Sequence, residues 1–427
     1  MTQRPQQQQP LHRNGIGVPS SDVGFWSGLI EGAFALTQTV FMPVWGKIAD
    51  RYGRKWVLVL SLVGVVVASV LFGLARNVGE MIAIRCFEGI FAGTLVTVRT
   101  MVTENSTSKT QARAFSFFDF TGNLGIFVGS LLGGVLAEPA LQYPSLFGSI
   151  ALFKRYPYLL PCIVNGALAT LAAVMNIFWL KETYPARKDD EPTPPSPSIR
   201  DVFRAPGMIP ILVLMNFMML IAFGFHAAMP VLFFTPVELG GWGFTPAQIS
   251  YYFAAGGVTQ SIWLLLAFPP MYSRLGTKYL TRLWTFVLPF TYGCMILQNW
   301  ALRRGDVPLF GVLMALQLLT ATGAPMVPTA FQLALNNILL SPHALGTLSG
   351  LSLSLSSAIR SFAPPAFASL YALGVKEQIM AGQLGVVVPA ILSAVLFVMC
   401  WIWLPEGVDE RKDTAKSGKK GNRRGEA

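Results

Sequence analysis

Charge is what this sequence has least of. Only 12% of its 427 residues are Asp, Glu, Lys or Arg and 53% are hydrophobic, where a soluble chain is about 25% charged. With a mean hydropathy of +0.52, that deficit excludes a soluble globular protein and leaves a chain that crosses a membrane many times. The formal charge of +11 does not imply a nucleic-acid partner, because Lys and Arg here punctuate apolar segments instead of clustering on a surface. Histidine is scarce, with three residues, and the polar stretch 181–207 has none, so nothing points to a metal. Cys86, Cys162, Cys294 and Cys400 all sit inside apolar runs, which argues against a disulfide framework or a thiolate metal centre. No glycine loop precedes a Lys-Ser or Lys-Thr pair, so there is no sign of an ATP-driven pump. Neither a cofactor nor an enzymatic activity is expected. Residues 1–23 are rich in Gln and Pro without an apolar core, and hold no cleavable signal peptide.

What is present is long apolar runs. A span needs about 20 apolar residues to cross roughly 30 Å of hydrocarbon, and eleven segments qualify: 24–45, 56–75, 78–103, 115–137, 158–180, 208–234, 246–270, 283–300, 308–333, 345–373 and 385–404. The expected fold class is an all-α membrane protein. The proline-rich segment 181–207 cannot bury a core and divides the chain into a tail (1–23), a helical half (24–180), a linker, a second helical half (208–405) and a basic tail (406–427). Placing the first short turn in the cytoplasm puts twenty-one Lys and Arg on that side. Arg76, Lys154, Arg155, Arg303, Arg304 and Lys376 fall opposite. That asymmetry predicts a cytoplasmic linker and carboxyl terminus, and it discounts the acceptor-like Asn105-Ser106-Thr107 as a glycosylation site.

That first turn is GKIADRYGRK, residues 46–55. Gly46 lets two helix ends approach, Gly53 permits a backbone angle other residues resist, and Asp50 stands among Lys47, Arg51, Arg54 and Lys55. Alone, it reads as positive-inside topology. It also resembles the G-x-x-x-D-R-x-G-R-K loop between the second and third helices of the major facilitator superfamily of secondary transporters, matching every fixed position. FPPMYSRLGTK at 268–278 echoes it in the second half, keeping Arg274, Gly276 and Lys278 with Ser273 in place of the acid. The stretch 24–55 looks like the fungal and plant branch of drug:proton antiporters and zinc-induced facilitators.

The resemblance implies a major facilitator fold of two helical halves facing a central site, twelve helices being the norm. One segment precedes the motif, so the missing helix would be the family's first. The expectation is an incomplete gene model, with an upstream start or a lost exon, or else an eleven-span variant. A groove would then lie beside Glu31 and Arg85. The resemblance also implies a gate latch: Asp50 near the start of the family's eleventh helix, at Gly346 and Thr347, with Glu104 holding Arg54 or Arg51.

Ionisable residues inside spans are functional candidates by default. Arg85 and Glu88 share a helical face in IRCFEGIFAG, where Gly89 and Gly93 admit a close neighbour. The segment resembles R-x-x-Q-G-x-x-x-G, which in proton-coupled antiporters is tied to proton transfer. The alternative is an ion pair that locks packing. Glu31 is either a proton carrier or a carboxyl reaching outer water, and Gln38 follows on its face. Gly125, Gly129, Gly133 and Gly134 resemble the antiporter pattern G-x-x-x-G-P-x-x-G-G, Ser130 replacing its proline, and are read as helix packing. Arg360 needs a partner, an anionic substrate or an acid on another helix. Pro364 and Pro365 after it should interrupt the helix. His226 either titrates near neutral pH or is a core histidine bonded to a carbonyl. Gln38, Asn123, His226 and Arg360 are candidates for a substrate cavity.

The function expected is proton-coupled transport of a small solute, with export favoured and Glu31, Arg85 and Glu88 coupling the proton. Its partners would be that solute, protons and the lipid bilayer of a plasma or vacuolar membrane, with the chain monomeric. A solute sensor or a non-functional fragment are the alternatives.

Overall fold

The computed structural model describes residues 23–107, 110–183, 203–338 and 345–405. The outer parts of the amino-terminal tail, the linker and the basic carboxyl tail, expected above as unstructured, lie outside the described residues. Among the described residues all regular structure is helical. In one half lie α1 (Val23–Tyr52), α2 (Arg54–Leu74), α3 (Val78–Ile90), α4 (Gly93–Glu104), α5 (Gln111–Leu136) and α6 (Leu159–Trp179). In the other lie α7 (Met208–Phe234), α8 (Pro246–Ile262), α9 (Phe268–Arg303), α10 (Val307–Ala321), α11 (Met326–Ile338), α12 (Leu345–Lys376) and α13 (Leu384–Trp403).

Among the described residues, eight helices are long and apolar enough to cross a membrane. One of them, Gln248–Arg303, runs for 56 residues through α8, a π turn at Trp263–Ala267 and α9. It turns at Gly276, whose φ of 68° and ψ of 179° fall in a region only glycine enters freely. Gly53, at the matching place in GKIADRYGRK, has φ 95° and ψ 163°. The faint sequence echo between the two halves is thus a shared backbone conformation, and the turn expected over 268–278 is made at Gly276. The 30-residue α1 and 32-residue α12 are not among the eight. α12 carries a row of serines, Ser349, Ser352, Ser354, Ser356 and Ser357, buried within the protein, which lowers its hydropathy.

α3 and α4 form one candidate span, Val78–Glu104, broken at Phe91 and Ala92. The break sits between Gly89 and Gly93, which do what the sequence suggested: a Cβ on Gly89 would lie 2.8 Å from Thr37, and one on Gly93 2.9 Å from Trp45. A break frees carbonyls that membrane interiors cannot solvate. Trp45 answers one of them, donating its indole N–H to Ile90 O.

Two expectations fail here. α12 is not interrupted at Pro364 and Pro365 but runs on to Lys376, since a proline deletes one hydrogen bond while the flanking bonds hold the helix. Gly125, Gly129, Gly133 and Gly134 are not packed against another helix: among the described residues, no atom outside their own stretch of helix lies within 4 Å of a Cβ built on any of them. The second half of α5 is largely exposed, with no described helix against that face.

The two halves meet chiefly along α1 and α12, the most extensive helix pair in the protein. The hydrogen bonds that join them run from Gly346 at the end of the bundle bearing the linker, here called the linker face, to Arg360. At 1.5 Å per residue that is about 21 Å of α12.

Candidate functional site

At the linker face, α1 and α12 cross at Gly46 and Gly346 with no room for a side chain. A Cβ on Gly46 would sit 2.3 Å from the Gly346 carbonyl oxygen. This contact brings Asp50 onto the first turn of α12, where amide groups lack helical partners and the dipole favours an anion. Asp50 Oδ2 accepts from Thr347 N at 2.7 Å and Thr347 Oγ1 at 2.8 Å, and Oδ1 accepts from Gly346 N at 3.1 Å. Arg54 Nη2 completes the set at 3.0 Å. Arg54 is fully buried, and it is held in turn by Glu104 at 2.8 Å and by the Ala49 carbonyl at 2.6 Å. Of the two bases proposed for Glu104, the structure uses Arg54. Arg51 is exposed beside the Tyr52 ring. Burial pushes the Asp50 carboxyl up, against the opposing pull of Arg54, Thr347 and Gly346, so the cost of hiding this acid is met by donors drawn from both halves.

The start of the linker joins the same cluster. Glu182 caps α2, accepting from Arg54 N at 2.9 Å and Lys55 N at 3.0 Å, and Thr183 Oγ1 donates to Glu104 at 2.6 Å. With Asn105, Leu180 and Lys181 they line a shallow open depression on the linker face. The sequence offered no sign that Glu182 belonged here.

Further along α12 the contacts become lighter. Ser354 Oγ donates to the Thr39 carbonyl, and Ser357 Oγ to Gln38 Oε1 at 3.3 Å. Arg360 then pairs with Glu31. Of the two partners expected for Arg360, the structure supplies an acid on another helix, and Glu31 faces that guanidinium. Each side chain stays 43% exposed. Arg85 and Glu88 form an intrahelical pair at 2.8 Å, with the guanidinium over the rings of Phe72 and Phe34, at 4.6 Å and 5.7 Å. The pair therefore sits against α1 and α2. His226 is an exposed ring tilted on Phe253, not a core histidine bonded to a carbonyl. Asn123 is half-buried on α5, apart from these contacts. Among the described residues no group of His, Cys, Asp and Glu could hold a metal ion.

Sequence reasoning missed two ionisable residues in spans, Arg99 on α4 and Asp119 on α5. Thr329 on α11 bonds Asp119, and Gln332 on the same helix accepts from Arg99 at 3.1 Å. Both were visible as charges inside apolar runs.

A buried acid bound to the start of a helix in the other half and a positive-φ glycine in each half are fold-level features, and comparison with known proteins gives them a family. The profile of the Major Facilitator Superfamily matches residues 10–364. The chain is 38% identical over 405 residues to the efflux pump azaK of Aspergillus niger, covering 92% of this chain and 82% of that one. It is 35% identical over 164 residues to ZINC INDUCED FACILITATOR 1 of Arabidopsis thaliana, covering 38% and 34%. Its fold matches the Major Facilitator Superfamily transporter FucP, solved in the outward conformation, with a TM-score of 0.63 at 16% identity over 89% of this chain and 90% of that one. Match and fold together place the chain in the major facilitator superfamily of transporters.

Proposed function

We propose that this protein exports a small solute by alternating access in exchange for protons. The observation that carries the reading is the Asp50 latch. Its four donors come from the two halves, so it exists only while the linker face is shut. Similarity to the azaK efflux pump over most of both chains favours export. The membrane would be crossed eleven times, counting the 56-residue segment twice at its Gly276 turn and adding α1 and α12 to the other helices. The linker face would lie in the cytoplasm, as the Lys and Arg asymmetry requires.

Within that scheme Glu31, Arg85 and Glu88 couple proton movement to the turnover of the halves. Glu31 reports on it most directly, because its partner Arg360 lies across the interface. Gln38, Asn123, His226 and Arg360 would border the solute path. The protein would act as a monomer in a plasma or vacuolar membrane.

The test is reconstitution into liposomes that enclose a pH-sensitive dye, challenged with small amphipathic organic compounds under an imposed pH gradient. Gradient-driven accumulation of a compound, with matching proton movement abolished by a protonophore, is the expected result. Binding of a compound without exchange or accumulation would overturn transport and leave a solute sensor.

A further inference from the structure

The polar groups left unused by that scheme gather one layer deeper than the latch, where α4, α5 and α11 meet. Arg99 donates from Nη1 to Gln332, its Nε is buried without a partner, and its guanidinium lies 5.9 Å from the Phe118 ring centre. Gln332 donates to Asn336 at 3.1 Å, and Asn336 donates across the halves to Thr103 at 3.0 Å. Asp119 meets the hydroxyl of Thr329. Arg99 is the charge that acts on Asp119; among the described residues α6, α9 and α11, which also pack against α5, bring no other titratable group to bear on it. Yet Arg99 and Asp119, on neighbouring helices of one half, do not close into an ion pair. Each is held by a residue of α11 from the other half.

The Thr329 hydroxyl decides the protonation of its partner. It has one proton and two claimants: Asp119 Oδ2 and the Pro325 carbonyl at 3.1 Å. A hydroxyl donates once and accepts twice. Both contacts are served when Asp119 carries a proton and donates it to Thr329 Oγ1, and Thr329 donates onward to Pro325. A neutral acid is also the form that a span tolerates in the absence of a direct cation contact.

We propose that Asp119 is a proton-binding site that holds its proton while the linker face is shut and releases it when the halves part. Parting carries Thr329 and Gln332 away with α11 and leaves Arg99 and Asp119 together on the other half. The Asp119 O–H bond then breaks, the proton passes to water entering from the linker face, and the carboxylate pairs with the freed guanidinium. Reclosure reverses the exchange of partners, and Asp119 takes its next proton from water entering at the opposite face, so that Thr329 can receive it. One proton thus moves toward the linker face in each cycle, opposite in direction to an exported solute. The proposal rests on the proton-coupled reading above and supplies it with a carrier that the sequence motifs do not mark.

Infrared difference spectroscopy on the full chain in liposomes tests it without any solute. A protonated-carboxyl C=O band should be present at neutral pH and absent in Asp119→Asn. In Thr329→Val that band should titrate about one pH unit lower, a tenfold loss of proton affinity, because an acceptor for the acid proton is gone. Asp119→Asn, fixed in the neutral state, should also slow labelling of a cysteine at Ser349, buried between the halves, at least threefold in a background lacking the native cysteines. A spectrum unchanged by Asp119→Asn overturns the site. A titration that moves upward in Thr329→Val shows Thr329 donating to a carboxylate, and overturns it as well. Unchanged Ser349→Cys labelling overturns the link to opening. If all three results hold and no pH gradient drives solute movement, the site stands and proton-coupled export falls.

Discussion

Asp50 and Thr347 lie 297 positions apart in the chain and are joined by two hydrogen bonds, at 2.7 Å from the Thr347 amide and 2.8 Å from its hydroxyl. Removing the charge of Asp50 weakens both, along with the contacts to Arg54 and Gly346, and leaves the buried guanidinium short of an anion. The three hydrogen bonds from Gly346 and Thr347, the ones that cross between the halves, are worth about 1.5 to 3 kcal/mol each to a charged acceptor. Asp50→Asn should therefore shift the linker face toward open by roughly a hundredfold or more, about 1.4 kcal/mol being a factor of ten. Faster labelling of a cysteine at Ser349, in a background lacking the native cysteines, is the check; an unchanged rate sinks the latch.

Gly46→Ala and Gly346→Ala should open the same face by a different route. The added methyl on Gly46 would sit 2.3 Å from a backbone carbonyl, and one on Gly346 2.5 Å from Asp50 Oδ1, so α1 and α12 must separate. Gly125→Ala and Gly129→Ala meet nothing within 4 Å and should leave labelling unchanged, while thermal stability stays level or rises, helix propensity alone favouring Ala by up to about 1 kcal/mol. Equal loss of transport in the two pairs would contradict the packing described.

Glu31→Gln and Glu88→Gln should abolish accumulation driven by a pH gradient while sparing exchange of labelled solute. The two differ in what else they break. Glu31→Gln releases Arg360 between the halves, whereas Glu88→Gln releases Arg85 within one helix. Full accumulation in both variants would remove these acids from coupling and leave Asp119 as the carrier.

Gly276→Ala and Gly53→Ala should each lower the midpoint of thermal unfolding. An alanine forced to φ 68° or 95° with an extended ψ is strained by about 1 to 3 kcal/mol. At Gly53 the methyl would also meet the Glu182 carboxylate at 2.7 Å and disturb the cap on α2, so its loss should be the larger. Equal midpoints for wild type and both variants would refute the shared turn geometry.

The contacts of Asp50 with Gly346 and Thr347 were legible because its motif is short and contiguous and because the fold fixes where α12 begins. Gly89 and Gly93 were legible for a similar reason, as small residues beside a helix break. Arg360 was recognised as needing a partner, but nothing local to it says that antiparallel packing of α1 on α12 supplies Glu31. Asp119 and Arg99 were hidden by distance: their partners Thr329 and Gln332 lie 210 and 233 positions away. The rule that singles out charges inside apolar runs would have found both. The α5 glycines misled because small-residue spacing records what a face can accept, whereas no described helix lies against it.

The central claim is that the halves part at the linker face when the latch is released. Spin labels on Tyr52 and Tyr279, both 65% exposed and on opposite halves at that face, measure it directly in liposomes by electron–electron dipolar spectroscopy. Wild type should show a short distance predominating, and Asp50→Asn a longer distance enriched at its expense. Identical distance distributions in the two proteins would contradict it.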